Sequence, residues 1–174
     1  QRIGMDYADT VGVFRQGQMD EKNVLHLKDQ RFTVLCEEDV QITRKAFGLG
    51  ERYITLHRES GNSGKSSLKL WPEDNYHTLI VRLKEQYPHI DIVFLGSKKD
   101  GDFPGTIDLR GRTSFPVLKA LLKGAALHVG SEGLMPHLRH FLHGGPSVVL
   151  FGPTSCRHYG YAENCNICGT LCPE

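Results

Sequence analysis

The chain has 174 residues, enough for one good-sized domain and hardly for two. Hydrophobic residues make up 39% and charged residues 24%, and 21 Lys and Arg against 20 Asp and Glu leave a formal net charge of +1. That balance offers no basic surface of the kind nucleic acid requires, and no apolar run approaches the roughly 20 residues that cross a bilayer. With no signal-peptide pattern at the N-terminus, the expectation is a cytoplasmic protein with neither a nucleic-acid partner nor a transmembrane segment.

Residues 1–30 are polar, glycine-dotted and weakly patterned. A strand is predicted at 31–36 and a helix at 38–47, with acids in its first turn and Arg44 and Lys45 in its last. The β-rich run YITLH (53–57) is the next strand, and a loop full of Gly and Ser follows. Pro72 is expected at the first position of a helix whose buried stripe is Tyr76, Leu79, Ile80, Leu83 and Tyr87. Strands follow at 90–95 and 107–109, then a helix capped by Thr113 or Ser114 and running through Lys123. The stretch from Ala126 to Thr154 organises the rest: a strand at 125–129, an acidic glycine turn, a helix with Pro136 in its first turn and Gly144 and Gly145 ending it, and a strand at 148–151. This alternation predicts an α/β fold, a Rossmann-like doubly wound parallel sheet. Ser131-Glu132-Gly133 would then lie where a strand's carboxyl end meets a helix N-terminus, the place where such sheets bind ligands.

Four features carry possible chemistry. GNSGKS at 61–66 looks like a phosphate-binding P-loop, but Glu59 stands where the motif needs its first glycine, so a flexible loop is the better reading. His57, Arg58 and Lys69 bracket the end of the first strand, either as an anion site with Lys69 reaching a diphosphate or as solvated surface charges. His137, His140 and His143 are not spaced to converge on one metal; His137 is expected at the crevice and the other two at the surface. Of five cysteines, Cys156, Cys165, Cys168 and Cys172 crowd the last nineteen residues. Their spacing suits Zn or Fe, with free thiols and disulfides as the alternatives. The chain stops straight after this cluster, which reads as a fragment.

Taken in order, YITLH, Lys69-Leu70-Trp71-Pro72, DIVFLGS, DLRGRTS, ALHVGSEGLMPHL, VVLFGPT and GYAEN resemble the ADP-heptose-type heptosyltransferases of glycosyltransferase family 9, from about residue 31 to 164. The resemblance is to their C-terminal lobe, the donor-binding half of a GT-B fold. It implies an arm and inter-lobe connection at 1–50, a nucleotide-sugar domain at 51–154 and a cysteine-rich segment at 155–174. It also implies an ADP-sugar donor held by His57, Arg58, Lys69, Gly96, Ser97, Thr113, Ser131, Glu132, Gly133, Leu134 and His137. The acceptor would be a lipopolysaccharide, glycan or protein, the location cytoplasmic or peripheral to the inner membrane. The catalytic base would sit in an N-terminal lobe that residues 1–30 are too short to form, leaving this chain inactive without that lobe or a partner chain. Ser131-Glu132-Gly133 stands where many members carry Asp-Thr/Ser-Gly. One branch, which glycosylates autotransporter proteins, holds iron in a similarly placed cysteine-rich segment and forms large oligomers. A non-catalytic, metal-stabilised assembly module is the competing reading, and a P-loop phosphotransferase a distant third.

Overall fold

Five parallel pairings join six strands, β1 (Tyr53–His57), β2 (Asp91–Leu95), β3 (Ile107–Asp108), β4 (Leu127–Ser131), β5 (Ser147–Phe151) and β6 (Cys165–Cys168), in the order β3-β2-β1-β4-β5-β6. The computed structural model describes residues 35–58, 69–96 and 101–169. Among the described residues five helices accompany the strands: α1 (Glu37–Ala46), α2 (Glu73–Gln86), α3 (Phe115–Gly124), α4 (Leu134–Phe141) and the single turn α5 (Cys156–Tyr159). The fold is the doubly wound, Rossmann-like α/β sheet expected. None of the helices among the described residues is long and apolar enough to cross a membrane.

Alternation of side chains along each strand sorts the core into two layers. Ile54 and Leu56 of β1, Ile92 and Phe94 of β2 and Val129 of β4 meet Tyr76 and Ile80 of α2 on one face. Tyr53, Val93 and Leu95 point to the other face, under α3 and Met135 of α4. The two layers follow from handedness. The chain moves outward from β1 to β2 and in the opposite direction from β4 to β5, so right-handed crossovers must place α2 and α4 on opposite faces.

Several local expectations shift by a residue or two, each for an identifiable reason. Pro72 is the N-cap of α2 rather than its first residue, and Tyr87 is 49% exposed instead of completing the buried stripe. β4 starts at Leu127, not Ala125, because Ala125 closes α3 and its carbonyl is taken by Arg139 at 2.9 Å. Helix α4 ends without a glycine in the left-handed position. His143 takes it (φ 52°), while Gly144 lies so close to Leu122 O and Lys123 Cα that an added Cβ would come within 3.1 Å of both. Of the strand expected at 31–36, residues 31–34 lie outside the described residues, and Cys36 caps α1, exchanging hydrogen bonds with Asp39. β6 was not foreseen as a strand: the cysteine-rich segment adds it to the edge of the sheet.

Two buried polar side chains hold the layer under α3 and α4. Arg139 is fully buried, and its guanidinium donates to the carbonyls of Leu122, Ala125 and Pro146. The first two close α3, so a cation on α4 sits at the negative end of the neighbouring helix. Burial brings its pKa down to about 10, so it remains charged at neutral pH. His128 is also fully buried; its Nδ1 lies 3.0 Å from Thr55 Oγ1, and Nε2 has no hydrogen-bond partner among the described residues. Burial, reinforced by His57 and Arg139, holds its pKa well below the usual histidine value.

Replacing Arg139 by Met should cost at least about 3 kcal/mol, because it strands buried carbonyls; denaturant unfolding measures this. For His128, the folded pKa lies below the unfolded value of about 6.5, so the unfolded chain protonates first. Stability should be fully present above about pH 6.5 and fall as the pH drops below it, and H128Q should flatten that slope relative to the parent.

Candidate functional site

The strand order reverses between β1 and β4, so the loops leaving their carboxyl ends separate and open a crevice. β1 delivers His57 and Arg58 to it; β4 delivers Ser131, Glu132 and Gly133. The floor is stitched across the opening. Tyr76 donates its hydroxyl to His57 O at 2.9 Å, and Ser131 Oγ donates to Arg58 O at 3.3 Å. Burial pushes the Tyr76 phenol up to about 12, so it stays a donor.

Glu132 is the centre of the site. Only 7% exposed, it receives Lys69 Nζ on Oε2 at 2.5 Å and Thr154 Oγ1 on the same oxygen at 3.0 Å, with His137 Nε2 3.8 Å from Oε1. Burial alone would raise its pKa, but the hydrogen bonds from Lys69 and Thr154 and the charge of Lys69 outweigh it, and the carboxyl is held below its ordinary value. The group is therefore an anion at neutral pH. Gly133, at φ 159° and ψ −153°, turns the chain from β4 into α4 through backbone geometry that side chains disfavour. The N-terminal N–H groups of α4 are thereby left at the crevice, beside the carboxylate.

The sequence-nominated residues are not all gathered here. Lys69, Glu132 and His137 converge, with Ser131 and Gly133 in the backbone that carries them. Arg58 lies at the rim, its guanidinium 3.6 Å from Glu73. His57 reaches the crevice through its carbonyl; its ring is buried, with its centroid 6.5 Å from that of His128. Leu134 is 59% exposed at the first turn of α4. Gly96 follows β2, and Thr113 is half-buried ahead of α3; among the described residues the side-chain partners of Glu132 are Lys69, Thr154 and His137, not these two. Ser97 lies outside the described residues, as do GNSGKS, Glu59 and Cys172.

Three contributors went unnominated: Thr154, Tyr161 and His140. Thr154 bonds Glu132, and Tyr161 Oη lies 2.9 Å from His137 Nδ1. His140, expected at the surface, stacks on Tyr161 with ring centroids 3.6 Å apart and pairs with Glu163. The runs FGPT and GYAEN were visible in sequence, but nothing in their spacing says which side chain turns back toward β4. His143 is exposed, as expected.

Of the four cysteines expected to hold a metal, Cys156, Cys165 and Cys168 lie among the described residues and Cys172 does not. Cys156 and Cys168 are joined in a disulfide, and Cys165 is a free, exposed cysteine. In the β5–β6 register Cys165 pairs with Val148 and Cys168 with Phe151, three residues apart, so the two cysteines project from opposite faces of the strand. Among the described residues no group of three or more His, Cys, Asp or Glu could hold a metal ion.

The model of glycosyltransferase family 9 (heptosyltransferase) matches residues 26–172. The chain belongs to this family. Among solved structures, it is similar to the ADP-heptose LPS heptosyltransferase II of E. coli, with 20% identity and a TM-score of 0.60 over 80% of this chain and 45% of that one. It is also similar to a family 9 glycosyltransferase of Veillonella parvula DSM 2008, with 20% identity and a TM-score of 0.58 over 84% of this chain and 42% of that one. This family 9 chain thus spans less than half the length of either relative. No curated protein sequence matches it.

Alkylation of the non-reduced protein should label Cys165 and spare Cys156 and Cys168 until a reductant is added, as read by peptide mass mapping. Protection of all three together with stoichiometric Fe or Zn in elemental analysis would reverse the assignment.

Proposed function

We propose that this chain is the donor-binding half of a heptosyltransferase-like glycosyltransferase, and that the crevice between β1 and β4 takes an ADP-activated heptose or a related nucleotide sugar. The observation that carries the reading is the convergence of Lys69, Glu132, Thr154 and His137 at the strand-order reversal, beside the N-terminus of α4.

The chemistry divides between the two charges. Lys69 is 28% exposed and spends one of its three donors on Glu132, so its remaining N–H groups can face a phosphate. Together with the N–H groups at the start of α4, it would stabilise the charge that develops on a departing nucleoside diphosphate. Glu132 Oε2 is occupied by Lys69 and Thr154, whereas among the described residues Oε1 has only His137 at 3.8 Å. That oxygen is suited to accept hydrogen bonds from sugar hydroxyls. The carboxylate of Glu132 is tied to the Lys69 ammonium and so is not poised to deprotonate an acceptor. In this reading the base comes from an acceptor-binding lobe, which also decides whether a lipopolysaccharide, a glycan or a protein is modified.

Millimolar ADP should raise the melting temperature; saturation at 100 times Kd corresponds to about 2.7 kcal/mol. Lys69→Met should shrink the ADP-induced increment, and it should also lower the ligand-free midpoint because Glu132 loses its cation. Melting curves unmoved by ADP and by UDP would remove the proposal.

A further inference from the structure

We infer that Tyr161 is a positioning residue: it fixes His137 in the tautomer that carries its proton on Nε2 and so keeps a hydrogen-bond donor aimed across the crevice. The identity of the ligand that takes this donor rests on the donor-binding reading; the geometry does not.

The 2.9 Å separation of Tyr161 Oη from His137 Nδ1 permits two arrangements. Either the phenol donates to a bare Nδ1 and Nε2 carries the proton, or Nδ1–H donates to the phenol oxygen and Nε2 presents a lone pair. The phenol is a better donor than acceptor and so favours the first arrangement, and Glu132 works in the same direction. Its Oε1 lies 3.8 Å from Nε2, and the carboxyl is an anion held by Lys69 and Thr154. A lone pair on Nε2 would face the carboxylate with like polarity, whereas Nε2–H faces it with opposite polarity. At 3.8 Å this proton is not committed to a hydrogen bond, so an incoming anionic or hydroxyl oxygen can take it.

Tyr161 is itself held from three sides. Its carbonyl accepts from Asn166 Nδ2 at 3.0 Å and from Asn164 N at 3.1 Å. Its ring lies flat on His140, 9° from parallel, and stands edge-on to His137 at 82°. His137 and His140 are three residues apart and share one side of α4. Glu163 pairs with His140, leaving the stack anchored at its outer end. The crossover from β5 to β6 therefore lays a tyrosine against α4 with its hydroxyl at one defined ring nitrogen. Among the described residues, the groups facing His137 are Glu132 from the β4–α4 turn and Tyr161 from this crossover.

The test is side-chain 15N NMR of the histidines at about pH 8, where the ordinary histidine is neutral, with His137 assigned by its absence in H137N. The parent should show the Nε2–H tautomer at His137. Y161F keeps the ring against His140 and removes only the hydroxyl. It should shift His137 to a tautomer mixture and weaken ADP binding about fivefold, the loss of one hydrogen bond's worth of positioning. A parent in the Nδ1–H form, a tautomer pattern unchanged in Y161F, or ADP affinity unchanged despite a shifted tautomer would each overturn the inference. Should the parent bind neither ADP nor UDP, the donor-binding reading and the ligand role of His137 fall together, while the tautomer comparison still decides what Tyr161 does.

Discussion

A carboxylate cannot be taken out of water at the end of a parallel strand without compensation, and Glu132 is 7% exposed there. Its requirement for partners draws together segments far apart in the chain. Lys69 comes from the approach to α2, His137 from α4 and Thr154 from the turn after β5. Among the described residues, Lys69 leaves two N–H groups unused, Glu132 the lone pairs of Oε1, and His137 a ring nitrogen 3.8 Å away. The result is a polar cluster satisfied enough to be stable in the open crevice and incomplete enough to receive a ligand.

The accuracy of that cluster depends on what lies behind it. Helix α4 is only eight residues long and would be marginal alone. It is fixed by Arg139, whose guanidinium is buried against the carbonyls that close α3. Those contacts hold the helix that carries His137, so the ring stands in register with Glu132 on the preceding turn. On the other face Tyr76 reaches from α2 through the layer to His57 O, and Ser131 ties β4 to Arg58 O. The two strands that border the crevice are therefore clamped from α2 and from each other, which suits a site built from backbone as much as from side chains.

The third support is the crossover from β5 to β6. Its disulfide joins Cys156 to Cys168 across twelve residues, and Tyr161 and Glu163 lie inside that closed loop. A segment distinguished in sequence by its cysteines is, in the fold, the wall of the crevice beside α4. Membership of glycosyltransferase family 9 gives this arrangement its context. Glu132 brings an anion to Lys69 and sets the polarity that His137 must answer.

Periodicity and punctuation sufficed for the architecture. Strands β1 and β2, the buried stripe of α2, the glycine turn after β4 and the doubly wound topology were all legible, because they follow from local rules of alternation, helical spacing and Gly or Pro placement. The motifs also marked Lys69, Glu132 and His137 as residues of interest. What no local rule contains is which side chains meet. The inward rotation of Thr154 and Tyr161 and the burial of the His57 ring depend on the order in which strands assemble and on the face each helix takes. Cys165 and Cys168 likewise seemed able to share a metal until pairing with β5 set them on opposite faces of a strand. The sequence determined the elements and the identity of the charged groups. Only the tertiary structure decided their partners, because a buried charge is satisfied by whatever packing brings within 3 Å of it, and packing is a property of the whole sheet.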